Sequence, residues 1–373
     1  MEGQRYDHSD PGSADASGQP EVASGQSEVA SRRQLSVIQV VRSDAFAGVE
    51  RYMCQVSNGL ARRGHHMVVV GGDPDRMRSE LSGGIEFVPA TTVARAARVL
   101  ANHRGVDVVH AHMTAAEAAA WLARPLQRSP IVATRHFAED RGSGTLARML
   151  THITTRALAR DIAISQFVAD SVSGPTVLLY SAVPDRPQAS LDSPTVLMLQ
   201  RMTAEKSPEV GIRAWAASGL GAEGWRLVVA GVGDRSVSMT TLAHQLGVTD
   251  SVEFVGQIAD TDKLLDETSV VLATAPAEPF GLSVVEAMSH GVPVVAADGG
   301  AHTETVGDDG LVFPVGDAQA AAKELVSLAQ DPARRQKVGG ALRDRQQRMF
   351  SLEQHLDGLE LIYRQVLEER GRG

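Results

Sequence analysis

Two carboxylates, Glu278 and Glu286, are separated by seven residues in APAEPFGLSVVEAMSHGVPVVAAD. Pro279 and Gly281 permit a tight turn between them, and Leu282 to His290 has helix character ended by Gly291. The first amides of such a helix, near Phe280, Gly281 and Leu282, have no preceding turn to bond to, so they face whatever anion or hydroxyl lies opposite. Glu278 then sits at the mouth of a cleft and Glu286 about one turn inside it. An ionised carboxylate accepts from both members of a diol, which suits the hydroxyls of a sugar and of a ribose. Upstream, in QRMTAEKSPEVGIRA, Arg201 and Lys206 follow a strand and precede a helix. Two cations at that place can neutralise a diphosphate.

These residues need elements to hold them. From Leu35 onward short apolar runs alternate with longer helical ones. LSVIQVV (35–41) is a strand, VERYMCQVSNGLARRG (49–64) a helix, and HMVVVGG (66–72), VDVVHAH (106–112), IVATRH (131–136) and DIAIS (161–165) are further strands. TVLMLQ (195–200), WRLVVAG (225–231), VEFVG, SVVLATA and VPVVAAD make a second set. Each strand returns to the same edge through a crossover, so the pairing is parallel and the fold class is α/β, with two Rossmann-like halves and a cleft between the carboxyl ends of their sheets. The expected organisation is a flexible tail over 1–33, a first lobe over 34–184, a second over 185–350, and a last helix over 351–373. VPDRPQASLDSP has the composition of a linker, and Leu352, Leu356, Leu359, Ile362, Tyr363 and Val366 form one apolar stripe that must pack on a lobe.

Composition narrows the partners. Across 373 residues, 36 Lys+Arg against 45 Asp+Glu leave a net charge of −9, without the basic excess that nucleic acid requires. The single cysteine, Cys54, lies in an apolar helical pattern and reads as a core residue. The first 33 residues hold no apolar stretch of the secretory type and no run anywhere reaches the length of a bilayer span, so a cytoplasmic location is the expectation.

At this point a family comes into view. RMTAEKSPEVGIRA, the AGVGD after WRLVV, VEFVGQ and the E-x7-E of EPFGLSVVEAMSHGVPVVAADGGAHTETV together resemble the GT-B retaining glycosyltransferases of family 4. AGVERYMCQVSNGLARRGH, DVVHAHMTAAEAAAWLA and IVATRH extend the resemblance through the first lobe, so that it covers nearly everything from Leu35 onward. It implies transfer of a sugar from a nucleotide diphosphate sugar, UDP first and GDP next, to the hydroxyl of an unidentified acceptor. Arg201 and Lys206 become the diphosphate clamp, and Glu286 the ligand of the ribose. Glu278 and the amides of Phe280, Gly281 and Leu282 become the holders of the donor sugar. His136 matches the histidine placed against the transferred sugar, and Gly48 the glycine turn that approaches the donor. Members commonly carry two adjacent glycines there, whereas this chain has Ala47-Gly48. The implied route is front-face, with the departing phosphate oxygen taking the acceptor's proton. No cofactor and no metal are implied, because the two cations supply the charge. The final helix is expected to cross back to the first lobe.

Other readings stay open at this stage. A nucleotide-sugar epimerase, a phosphorylase or a non-catalytic sugar-nucleotide binding protein would use the same cleft. His136 also reads as a hydrogen-bonded histidine at a strand end. His110 and His112 share a face of one strand but lack an evident third metal ligand. Gly231 and Gly233 lack the third glycine of a dinucleotide fingerprint and read instead as a close-approach turn beside the donor, to which Gly231 is assigned. Glu304 either caps a helix or reaches the cleft. The basic run from Arg141 to Arg160 reads as a solvated helix face rather than a membrane patch.

Overall fold

The run SVIQVV forms β1 (Ser36–Val41), with five of its six side chains buried, as expected of a strand covered by helices on both faces. The computed structural model describes residues 33–138, 153–172, 174–258 and 260–372. The tail and most of the basic run expected at 141–160 lie outside these residues. After β1 the first lobe continues through α1 (Gly48–Arg62), β2 (His66–Val70), α2 (Pro74–Glu80), β3 (Glu86–Val88), α3 (Val93–Asn102), β4 (Val108–His112) and α4 (Thr114–Ala123). It closes with β5 (Ile131–Arg135), β6 (Leu158–Ala163), α5 (Gln166–Ser171) and β7 (Val177–Leu178). All neighbouring strands run parallel, in the order β3-β2-β1-β4-β5-β6-β7.

Two differences from the sequence expectation have local causes. The strand expected at 161–165 begins three residues earlier, at Leu158. Its charged residues are accommodated because Arg135 Nε on β5 donates to Asp161 Oδ1 at 2.7 Å, so this buried carboxylate is paired. The strand at 106–112 starts at Val108; before it Asp107 donates its amide to the Ser36 carbonyl at 2.7 Å and accepts from the Ser36 amide on its carboxylate at 2.8 Å.

The second lobe repeats the plan. β8 (Thr195–Leu199), α6 (Pro208–Ser218), β9 (Arg226–Ala230), α7 (Ser236–Gln245), β10 (Val252–Gly256), α8 (Thr261–Asp266) and β11 (Val270–Ala273) lead to α9 (Leu282–Ser289). β12 (Val294–Ala297), α10 (His302–Val306), β13 (Leu311–Phe313), α11 (Ala318–Gln330) and α12 (Pro332–Met349) follow. The strand order is β10-β9-β8-β11-β12-β13, again parallel. In each lobe the order reverses beside the first strand, between β1 and β4 and between β8 and β11. Such reversals open a crevice at the carboxyl ends of the strands.

The last helix, α13 (Leu352–Arg372), leaves the second lobe. Leu352, Leu356, Leu359, Ile362, Tyr363 and Val366 join a core with Leu35, Val37, Tyr52, Met53 and Leu60 of the first lobe. A chain of buried hydrogen bonds reinforces this seam. His355 Nδ1 donates to the Tyr180 carbonyl at 2.7 Å, so its Nε2 accepts from the Tyr52 hydroxyl at 2.7 Å. Thr134 lies beside the Tyr52 hydroxyl, and its Oγ1 is 2.7 Å from His110 Nε2. His110 Nδ1 lies 2.7 Å from the Tyr363 hydroxyl. Truncating Leu359, fully buried in this seam, to alanine is expected to cost about 2–5 kcal/mol, read as a lowered urea midpoint. An unchanged midpoint would show that α13 contributes little to the first lobe's core.

Candidate functional site

The turn leaving β8 carries Arg201 and Lys206 to the carboxyl end of the second sheet. Gln200 Nε2 donates to Thr274 Oγ1 at 2.8 Å and to the Lys206 carbonyl at 3.1 Å, and Thr274 Oγ1 donates to the same carbonyl at 2.7 Å. The turns after β8 and β11 are thereby tied together at the order reversal. Ser207 takes a left-handed conformation (φ 45°), uncommon for a residue with a side chain, and Pro208 starts α6 directly after it. Lys206 is held at the end of this strained turn. Its Nζ lies 2.6 Å from Glu278 Oε2, with the two side chains only 15% and 16% exposed.

Glu278 is fixed from behind. Its carbonyl accepts from the Ala301 amide at 2.7 Å, and it bridges to Gly300, where a Cβ would lie 2.4 Å from the Glu278 backbone. Only glycine allows this approach. α9 then begins after Gly281, itself left-handed (φ 89°), whose missing Cβ faces Glu278 Cγ at 3.5 Å and His302 Cδ2 at 3.4 Å. Lys206, Glu278 and the amino end of α9 therefore form one constellation. Arg201 stands apart from it: its side chain is 61% exposed and pairs with Glu205 at 2.6 Å. Phe280 is buried, with its ring 5.5 Å from that of Phe350 and 6.5 Å from that of Tyr180, so its side chain is structural and only its backbone is available to a ligand.

Glu286 lies in the second turn of α9 and meets the first lobe. Arg51 Nη1 on α1 donates to Glu286 Oε1 at 3.3 Å. Burial raises the Glu286 carboxyl above the usual carboxylate range, and Arg51 draws it back down. Around this pair is a cavity of about 200 Å³, lined by Arg51, Gln55, Arg186, Asp262 and Glu286 among others. Gly48, at the start of α1, faces α9 as well, since a Cβ there would touch Leu282 Cδ1 at 3.5 Å. Ala47 before it is extended (φ −132°), a conformation any residue adopts, so the alanine at this place strains nothing.

His136 follows β5, and its Nε2 lies 3.1 Å from His112 Nδ1. Both ring nitrogens of His112 and both of His110 have protein hydrogen-bond partners, so these two histidines are engaged in the fold rather than presented as ligands. Gly231 is left-handed-side backbone (φ 132°) whose Cβ would lie 2.0 Å from the Gln200 carbonyl, and a Cβ at Gly233 would lie 2.1 Å from that of Met202. Their close approach is to the neighbouring turn of this chain.

Several residues of the cleft carry no motif of their own. Glu304 caps a helix, and the helix belongs to the other lobe: its carboxylate accepts from the amides of Gln166 at 2.6 Å and Phe167 at 3.3 Å, at the start of α5. Beside it Ser165 Oγ donates to the Pro279 carbonyl at 2.6 Å, and Thr305 Oγ1 donates to the Phe280 carbonyl at 2.8 Å. The loop bearing Glu278 is thus braced from both lobes. Arg51, His302 and Ser165 could not be singled out from spacing, because their partners lie more than a hundred residues away or in another element.

Residues 46–174 match the family model described as Glycosyltransferase Family 4, and residues 183–345 match that described as Glycosyl transferases group 1. The chain belongs to the family 4 glycosyltransferases. This glycosyltransferase is 26% identical over 333 residues to a phosphatidyl-myo-inositol mannosyltransferase of Mycobacterium leprae, covering 80% of this chain and 88% of that one. It is 33% identical over 159 residues to an exopolysaccharide phosphotransferase of Streptomyces coelicolor, covering 41% of this chain but only 17% of the length of that protein. Its fold is GT-B: the structure of Anabaena HepE, solved in complex with UDP and glucose, superposes with a TM-score of 0.76 at 19% identity, covering 88% of this chain and 99% of that one. Among the described residues of this glycosyltransferase, no helix is long and apolar enough to cross a membrane.

Proposed function

We propose that the protein is a retaining glycosyltransferase that moves a sugar from a nucleotide diphosphate sugar, with UDP as the first choice of nucleotide, to an acceptor hydroxyl. The observation that carries this is the contact of Lys206 with Glu278 at the amino end of α9, a cation, a carboxylate and free amides within one side chain's reach. Breaking the bond from the anomeric carbon to phosphate builds negative charge on the departing diphosphate. Lys206 and the first amides of α9 stabilise that charge where it develops, since both are fixed before the ligand arrives. Arg201 joins them by turning from Glu205, an exposed pair whose loss costs little. Glu278, oriented by Lys206, accepts from donor-sugar hydroxyls, and His136 contacts the transferred sugar from the first lobe. Glu286 accepts from the ribose. The departing phosphate oxygen takes the acceptor's proton, which needs no carboxylate on the far face of the sugar. UDP is favoured because the HepE structure of the same fold holds UDP and glucose.

Thermal unfolding against a panel of UDP, GDP and their sugars tests the donor. A ligand at 100 times its Kd adds about 2.7 kcal/mol of stability. UDP-sugars are expected to raise the midpoint, and the anomeric configuration of the product, read by NMR, is expected to match that of the donor. In Glu286→Ala the loss of a hydrogen bond to a charged group, worth about 1.5–3 kcal/mol, is expected to raise the donor KM by roughly 10- to 100-fold with a smaller change in kcat. An unchanged KM would remove Glu286 from the ribose site.

A further inference from the structure

β1 and β4 are core strands whose apolar runs are each broken by polar residues: Gln39 stands between Ile38 and Val40, and His112 ends VVHAH. Both side chains are fully buried. Valine would pack at either place, and buried polar groups are costly unless they are bonded, so the pair is expected to do something that packing does not. Gln39 Oε1 lies 3.2 Å from His112 Nε2, and His112 Nδ1 lies 3.1 Å from His136 Nε2. The Tyr52 ring closes the group, with its centroid 5.6 Å from that of His112 and 5.2 Å from that of His136.

An amide oxygen only accepts. Gln39 turns Oε1 toward the ring and leaves its Nε2 without a partner among the described residues, so Oε1 takes the single ring proton of neutral His112 from Nε2, and Nδ1 is left as a lone pair. That lone pair takes the ring proton of His136 from its Nε2, and His136 Nδ1 is left bare. We infer that His112 is a positioning residue that, anchored by Gln39, locks His136 in the tautomer whose free nitrogen is an acceptor, so that the ligand group opposite His136 must be a hydroxyl that donates. Burial, reinforced by the neighbouring histidines, holds both rings neutral, which keeps the relay in one direction. The consequence for the ligand rests on the sugar-transfer reading above, and the tautomer itself does not.

Two-bond proton–nitrogen correlation spectra of the full chain labelled with 15N-histidine read the tautomer directly, with the His136 signals identified by their loss in His136→Gln. The expected spectrum shows His136 protonated on Nε2 and bare on Nδ1. His112→Asn, whose Oδ1 falls near the place of Nδ1, is expected to keep that pattern, and His112→Leu to replace it with a mixture of tautomers. A His136 protonated on Nδ1 in the unmodified protein, or one unmoved in a folded His112→Leu, would overturn the inference. The ligand side is read with UDP-glucose and its four monofluorinated sugar analogues, because fluorine accepts but cannot donate. One analogue is expected to bind about 10-fold more weakly than UDP-glucose in the unmodified protein and equally with it in His136→Gln. Equal binding of all four together with the expected tautomer would overturn the sugar contact and leave the relay standing.

Discussion

Lys206→Ala is expected to slow sugar transfer by roughly 10²- to 10³-fold, the scale on which a preorganised charge partner of a developing anion acts. Two effects add. The variant loses the cation nearest the amino end of α9, and it leaves Glu278, only 16% exposed, without the group 2.6 Å away that neutralises it. An uncompensated carboxylate beside a departing diphosphate opposes the charge that must build there. Because that charge is larger in the transition state than in the bound donor, the loss is expected mainly in kcat. Arg201→Ala is expected to fall in the same range. Its present partner is an exposed Glu205 on the same turn, so turning toward a diphosphate forfeits little. Initial-rate kinetics on variants with unchanged thermal midpoints decide the matter: wild-type kcat in both would dismantle the clamp.

Acid is expected to unfold the protein well above the ordinary carboxylate range. Burial pushes His110 and His136 down to about 3 and His355 to about 4, and holds His112 well below its usual value. As pH falls below about 6.5, the unfolded chain takes up protons at these four places that the folded chain refuses. Their contribution is therefore complete above 6.5 and lost on the way down, at about 1.4 kcal/mol per pH unit for each. Glu117 works in the opposite sense. Burial raises it to about 7, so between 4.5 and 7 the folded chain keeps a proton that the unfolded chain releases, which offsets one histidine. Glu286 and Asp161, raised by burial, act in the same sense as Glu117, whereas His302, lowered by burial, adds to the four histidines. The histidines set the direction, a loss of stability as pH falls. Urea midpoints at pH 7, 6 and 5 are expected to fall steeply, and a flat profile would mean that the cluster admits water and protons in the native state.

The alternation of apolar runs and helical stretches made both sheets readable, because a strand buried on both faces must be continuously apolar. β3 escaped for the same reason: Glu86–Val88 is three residues long, partly exposed, and carries no such run. The Glu278 and Glu286 pair was legible because Pro279, Gly281 and Gly291 mark where α9 starts and stops. Its partners were not. The link of Arg51 to Glu286 spans the cleft, and periodicity along α1 says only that Arg51 faces away from the core. Glu304 left two alternatives open that the structure shows to be one, a cap that is also at the cleft, because the helix it caps comes from the opposite lobe. The stripe on the last helix announced that it packs, while its destination came from the family resemblance alone.

That destination has a consequence for biosynthesis. The hydrophobic seat formed by Tyr52, Met53 and Leu60 leaves the ribosome before the second lobe, yet the residues that cover it are translated only after that whole lobe. Until then this lobe waits with a greasy groove open to water, a standing opportunity for aggregation or for a chaperone. The first lobe is closed by residues made after the second, so a cut at the linker parts it from a piece of its own interior.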